Sequence, residues 1–157
     1  MQTLTRRDAC NLIVDAMTTR PQLEISQLDS IVFAVNKDIQ VRDFLMGLPK
    51  YFPMEYAIKF VTFMCAYTKD EQQAPFMTVL AMYLYEEENS TDAQELLYES
   101  LKLKPDYQLT QLLMRVVTSG WPSNALSNMR NELADKVMVN CYGTEGSELI
   151  KDEEENG

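Results

Sequence analysis

Apolar side chains recur at three- and four-residue intervals along most of the chain. In the first segment Ala9, Leu12, Ile13, Ala16 and Met17 follow the spacing i, i+3, i+4, i+7 and i+8. This spacing places all five side chains on one face of an α-helix, so it predicts an amphipathic helix. Seven further stripes follow, in residues 28–35, 41–48, 53–67, 76–85, 93–101, 109–117 and 126–137.

Start and stop signals support this helical interpretation. Thr5 and Asp8 have the spacing of a capping box, with Asp in place of the usual Glu. Thr91 is a suitable N-cap, and Gly120 suits the C′ position that closes a helix. No segment shows convincing strand alternation, and the only β-like run, KVMVNCY, is short. We therefore predict an all-α fold of about eight helices, stacked as antiparallel hairpins.

One hairpin resembles a known repeat. Residues 80–105 are similar to a single degenerate tetratricopeptide repeat, in which small residues let two helices cross closely and a proline ends the unit. The resemblance implies tetratricopeptide-like right-handed packing, although no second copy occurs at the same period. The matching positions are Leu80, Ala81, Ala93, Leu97, Ser100 and Pro105.

A longer resemblance covers residues 32–122. A VRD helix at 41–45, an apolar helix opened by Ala-Pro at 74–83, the run KPDYQLTQLL at 104–113 and Gly-Trp-Pro at 120–122 follow one another in order. This arrangement resembles the C-terminal helical part of an actinobacterial family, domain of unknown function 4192. The resemblance implies a helical fold in a shortened relative, with an actinobacterial, phage or mobile-element source. That family has no established activity to transfer.

Charge and cysteine usage restrict the partners and the compartment. The net charge is −10, so the surface repels phosphate and direct nucleic-acid binding is not expected. Three widely spaced cysteines without a CxxC pair are typical of a reducing cytoplasm. Polar residues interrupt the first apolar stretch, which excludes a signal peptide, and no apolar run is long enough for a membrane span. We expect one domain over 1–140 and a flexible acidic tail over 141–157.

The residues needed for common catalytic sites are missing. The chain contains no histidine, which excludes Ser-His-Asp and Cys-His catalysis and histidine-containing zinc sites. It also contains no glycine-rich nucleotide loop and no GxSxG motif. We therefore expect no enzyme, no cofactor and no metal.

The candidate binding residues are aromatic side chains off the apolar stripes and an acidic run at a helix end. Three glutamates meet the negative end of the helix dipole, an unfavourable position that suggests either a basic partner or a cation, or else a solvated loop. Most other aromatics are expected in the core: Tyr51, Phe52, Tyr56, Phe60, Phe63, Tyr67, Phe76, Tyr83 and Tyr85. The partner-binding candidates are Tyr98, Tyr107, Trp121, Glu86, Glu87 and Glu88.

These patterns favour a non-catalytic, cytoplasmic protein-binding module. Its partner would be a basic or nucleic-acid-binding protein, of the host if the chain is phage-borne. For Trp121 the alternative is a purely structural role, sealing the last helix pair. The alternative function is structural self-association as a homodimer, and an enzyme is the least favoured class.

Overall fold

Eight α-helices make up the part of the chain that the structure describes. The computed structural model describes residues 4–18 and 23–151, and within these ranges it contains no β-strand, only an isolated bridge between Thr5 and Leu149. This confirms the predicted all-α class. The helices are α1 Arg6–Thr18, α2 Ile25–Lys37, α3 Ile39–Gly47, α4 Met54–Tyr67, α5 Ala74–Glu86, α6 Ser90–Leu103, α7 Gln108–Thr118 and α8 Ser123–Tyr142; short 3-10 turns lie at Leu48–Lys50, Asp70–Gln73 and Thr144–Ser147.

The central element is α5. It packs against α3, α4, α6, α7 and α8, and ten of its 13 residues are buried. A helix that is apolar nearly all round is stable only when neighbours cover every face. Phe76 and Tyr83 are completely buried, and the Tyr83 hydroxyl donates to the carbonyl oxygen of Leu45 in α3.

Small and hydroxyl-bearing residues set the packing of α5 against α6 and α7. Ala93 and Ser100 of α6 are completely buried. The Thr78 hydroxyl lies 2.7 Å from the Thr110 hydroxyl and 3.1 Å from the Ser100 hydroxyl. Buried hydroxyls are costly unless they are hydrogen-bonded, so this cluster favours a single register of the three helices.

Two of the predicted helix ends are confirmed, and one is displaced. The Thr5 N–H donates to Asp8 Oδ2 at 3.4 Å and the Asp8 N–H to Thr5 Oγ1 at 3.0 Å, which is a capping box. Gly120 follows α7 with φ of +72°. The prediction for Thr91 was wrong: α6 begins at Ser90, because the Asn89 side chain accepts from the Asp92 N–H and caps it.

The structure differs from the predicted flexible tail over residues 141–151. Cys141 and Tyr142 complete α8, which therefore also takes in the β-like run 136–142. After the 3-10 turn at Thr144–Ser147, the Ile150 side chain is buried and its N–H donates to the Leu4 carbonyl oxygen at 2.9 Å. One apolar residue in an acidic stretch thus holds this segment on the fold. Residues 152–157 lie outside the described residues.

Candidate protein-binding surface

The carboxyl end of α5 is tied to the α7–α8 connection by two side-chain contacts. The Tyr85 hydroxyl donates to the carbonyl oxygen of Trp121. The Glu86 carboxylate forms an ion pair with the Arg130 guanidinium of α8, with Nε 3.0 Å from Oε2. Tyr85 and Trp121 therefore meet at the carboxyl end of α5, although 36 positions separate them.

Glu86 is not a surface residue, in contrast to its prediction as a partner contact. Its side chain is 4% exposed and that of Arg130 is 6% exposed. Burial raises the pKa of Glu86, and the Arg130 charge and hydrogen bonds oppose that effect. The carboxylate turns inward because Arg130 supplies the opposite charge, so it is unavailable to a partner or a cation.

Glu87 and Glu88 follow this buried pair in sequence and are exposed. Glu88 adopts the left-handed conformation, with φ of +62°. Its N–H donates to the Tyr85 carbonyl at 3.0 Å and the Asn89 N–H to that of Leu84 at 2.9 Å, which is a Schellman motif. Both carboxylates therefore lie in solvent next to the negative end of the α5 dipole, a position in which negative charge does not stabilise the helix.

Trp121 presents an indole on a fixed backbone. Its side chain is 43% exposed. Its N–H donates to the Val116 carbonyl at 3.4 Å while its own carbonyl accepts from Tyr85, so the main chain is held on both sides. We call Glu87, Glu88 and Trp121 together the acidic–aromatic edge.

The other two aromatic candidates lie elsewhere. Tyr98 is 56% exposed, on the outer face of α6 rather than at the end of α5. Tyr107 is half-buried: its hydroxyl accepts from Arg42 Nη1 at 3.4 Å, and Lys104 Nζ lies 5.1 Å from its ring centroid. Burial raises the pKa of Tyr107. Tyr107 therefore connects α3 to the α6–α7 turn and is not an open anchor.

Sequence reasoning missed an aromatic face on α4. Tyr56 and Phe63, predicted in the core, are 43% and 50% exposed, and the Phe63 ring stacks with Tyr67 at a centroid distance of 6.1 Å. The prediction was wrong because α4 is covered on one side only, with α5 in the central position. We call the exposed set the α4 outer face: Glu55, Tyr56, Lys59, Thr62, Phe63 and Ala66.

A shallow cleft of about 520 Å³ separates α2 from the end of α4. Several of its polar groups are hydrogen-bonded within the fold. The Tyr67 hydroxyl donates to Asp29 Oδ1 at 2.6 Å, and the Asn36 amide donates to the Val32 carbonyl at 2.9 Å and to that of Gln72 at 3.4 Å. The cleft walls therefore hold α2 against the α4–α5 connection, and no pair of carboxylates faces into the space.

Within residues 4–18 and 23–151, no three acidic or cysteine side chains converge to hold a metal ion, and no helix has the length and hydropathy of a membrane span. No protein-family model matches the chain, and neither curated proteins nor solved structures give a match. Both family resemblances therefore stay predictions.

Proposed function

We propose that the chain is a non-catalytic protein-binding module that contacts its partner through the acidic–aromatic edge. The observation that carries this proposal is Trp121, the single tryptophan of the chain, 43% exposed on a backbone held by Tyr85. Exposed tryptophans on rigid supports are typical of binding hot spots, because they offer large contact area at little entropic cost.

The charge at the carboxyl end of α5 favours a basic partner. Glu87 and Glu88 lie at the negative end of the α5 dipole, on a chain with a net charge of −10. Such a surface speeds association with positively charged proteins, including proteins that normally bind phosphate. The setting we propose is the cytoplasm, of an actinobacterial host if the chain is phage-borne, and its three free thiols are compatible with that compartment.

Affinity capture with matched variants tests this proposal. The full chain is immobilised, exposed to actinobacterial lysate at low and high salt, and the captured proteins are quantified. We expect Trp121→Ala, and separately Glu87→Gln with Glu88→Gln, to lower capture of the same proteins by about tenfold or more. High salt should also lower the amount of these proteins that is captured.

Tyr98→Ala is the matched control, because it removes an aromatic ring that is at least as exposed as Trp121 from a different position. Capture should survive this change. Capture that resists high salt and Trp121→Ala, or no capture at all, would contradict the proposal.

Self-association is the second candidate, and the α4 outer face favours it. Tyr56 and Phe63 leave apolar surface on one helix side, and Lys59 with Glu55 gives that side no net charge on an otherwise acidic molecule. Light scattering over a range of concentrations separates the two functions. A tight dimer that Phe63→Glu abolishes and Tyr98→Glu preserves would favour self-association, whereas a monomer at all concentrations would exclude it.

A further inference from the structure

The exposed side of α4 leads into the cleft between α2 and α4. Tyr56 and Phe63 are seven positions apart and lie on one helix face, and Tyr67 follows four positions later on the same face. The Phe63 and Tyr67 rings stack, with a centroid distance of 6.1 Å and an interplanar angle of 15°. Tyr67 in turn lines the cleft. We call the α4 outer face, Tyr67 and the cleft together the α2–α4 groove.

The length of the groove suits a short helix. Tyr56 and Tyr67 both lie in α4, and the rise between them corresponds to about 17 Å, or about three helical turns. The cleft adds a volume of about 520 Å³ at one end, and Phe33 of α2, which is half-buried, gives it an apolar wall. An amphipathic helix that lays its apolar face along such a surface is a recurrent mode of recognition.

The charge of the groove is opposite in sign to that of the whole chain. Lys37 and Lys69 line the cleft, and Lys59 is exposed on the α4 outer face. The carboxylates of the groove are those of Glu55 on the outer face and Asp29 in the cleft, and Asp29 already accepts from a tyrosine hydroxyl. Three lysines against two carboxylates leave a formal charge of +1, on a chain whose net charge is −10.

We propose that the α2–α4 groove binds an amphipathic helix with an acidic polar face. The apolar side chains of that helix cover the aromatic rings of α4, and its carboxylates pair with Lys59 and Lys69. Asp70 and Glu71 follow Lys69 on an exposed turn outside the cleft lining, where solvent and salt screen their charges. This inference goes beyond the proposed function, because it uses no residue of the acidic–aromatic edge and concerns a partner of opposite charge.

Two synthetic peptides of about 15 residues test the proposal. Both have leucine at helical spacing on one face, and their polar positions hold glutamate and glutamine in one peptide and lysine and glutamine in the other. Each is titrated into the full chain, and amide hydrogen exchange of residues 54–69 reports binding at the groove separately from binding elsewhere. The net charge of −10 favours the lysine peptide, so a preference for the glutamate peptide must come from local charge. We expect the glutamate peptide to reach half-maximal protection at a concentration at least about tenfold lower.

Matched variants identify the contacts. Phe63→Ala should raise the concentration of glutamate peptide needed for half-maximal protection by about tenfold, because it removes the most exposed ring of the α4 outer face. Lys69→Glu should raise it several-fold, whereas Lys69→Arg, which keeps the charge, should leave it unchanged. Tyr98→Ala removes an exposed ring from α6 and should also leave it unchanged.

Three results would overturn the proposal. The first is no protection of residues 54–69 by the glutamate peptide at about 1 mM. The second is equal or better protection by the lysine peptide, and the third is unchanged binding in Phe63→Ala. Protection that appears without peptide and grows with protein concentration would identify a second copy of the chain as the occupant, which also overturns it.

Discussion

The carboxylate of Glu86 and the guanidinium of Arg130 form an ion pair, and both side chains are almost entirely buried. This pair joins the end of the central helix α5 to α8. Removing one partner leaves the other charge buried without compensation, a loss that is far larger than the net value of the pair. The pair therefore supports the acidic–aromatic edge without belonging to its surface.

The first prediction concerns this pair. We expect Glu86→Ala or Arg130→Ala to lower the free energy of unfolding by about 3–5 kcal/mol. Replacing both with leucine should cost less than either single change, because no unpaired charge remains. Urea denaturation measures these differences.

The exposed pair of Lys102 and Glu99 provides the control. Its side chains are 72% and 55% exposed, so Glu99→Ala should change the free energy of unfolding by no more than about 0.5 kcal/mol. Equal effects of Glu86→Ala and Glu99→Ala would contradict the buried-pair interpretation.

The second prediction concerns Glu88, which has a left-handed backbone that glycine adopts without steric cost. We expect Glu88→Gly to raise the free energy of unfolding by about 0.5–1 kcal/mol. Glu88→Gln separates the backbone effect from removal of charge at the helix end. If Glu88→Gln raises the free energy of unfolding as much as Glu88→Gly does, the whole effect comes from charge and the backbone contributes nothing.

Gly120 occupies the corresponding position after α7 and provides the opposite test. An added Cβ meets no atom within 4 Å, so Gly120→Ala changes only the backbone preference at φ of +72°. We expect the free energy of unfolding to fall by about 1 kcal/mol.

The third prediction concerns Cys65, since burial raises the pKa of its thiol from 9.0 to about 12. At about pH 8 its thiolate fraction should be about a thousandfold below that of an ordinary thiol. Iodoacetamide should therefore alkylate Cys65 very slowly in the native chain and rapidly in urea. Fast alkylation of Cys65 in the native chain, located by peptide mapping, would contradict the burial of its thiol.

The fourth prediction follows from the same shift. When a folded-state pKa is raised, the folded chain retains a proton that the unfolded chain has released, so stability falls as pH rises. We expect the chain to lose stability from about pH 9 towards pH 12, with Tyr142, its pKa raised by burial to about 12, acting in the same direction. Urea midpoints at about pH 7.5 and about pH 10.5 measure the loss, and Cys65→Ser should make it smaller.

Periodicity was sufficient to predict the helices, because each apolar stripe specifies one buried face. It could not predict which of two apolar helices occupies the centre, and Phe63 was misassigned to the core for that reason. Glu86 was misassigned because its partner, Arg130, lies 44 positions away, and local sequence carries no sign of that contact. Ile150 was missed because Leu149 and Ile150 are two adjacent apolar residues in acidic sequence, and no periodicity marks which of them is buried.

Hydrogen–deuterium exchange of the chain, free and with a captured partner, tests the central claim most directly, because it locates the contact without any substitution. The proposed function predicts slower exchange at residues 85–90 and 119–123, with α4 unchanged. Slower exchange confined to residues 54–67, with no change at the acidic–aromatic edge, would contradict it.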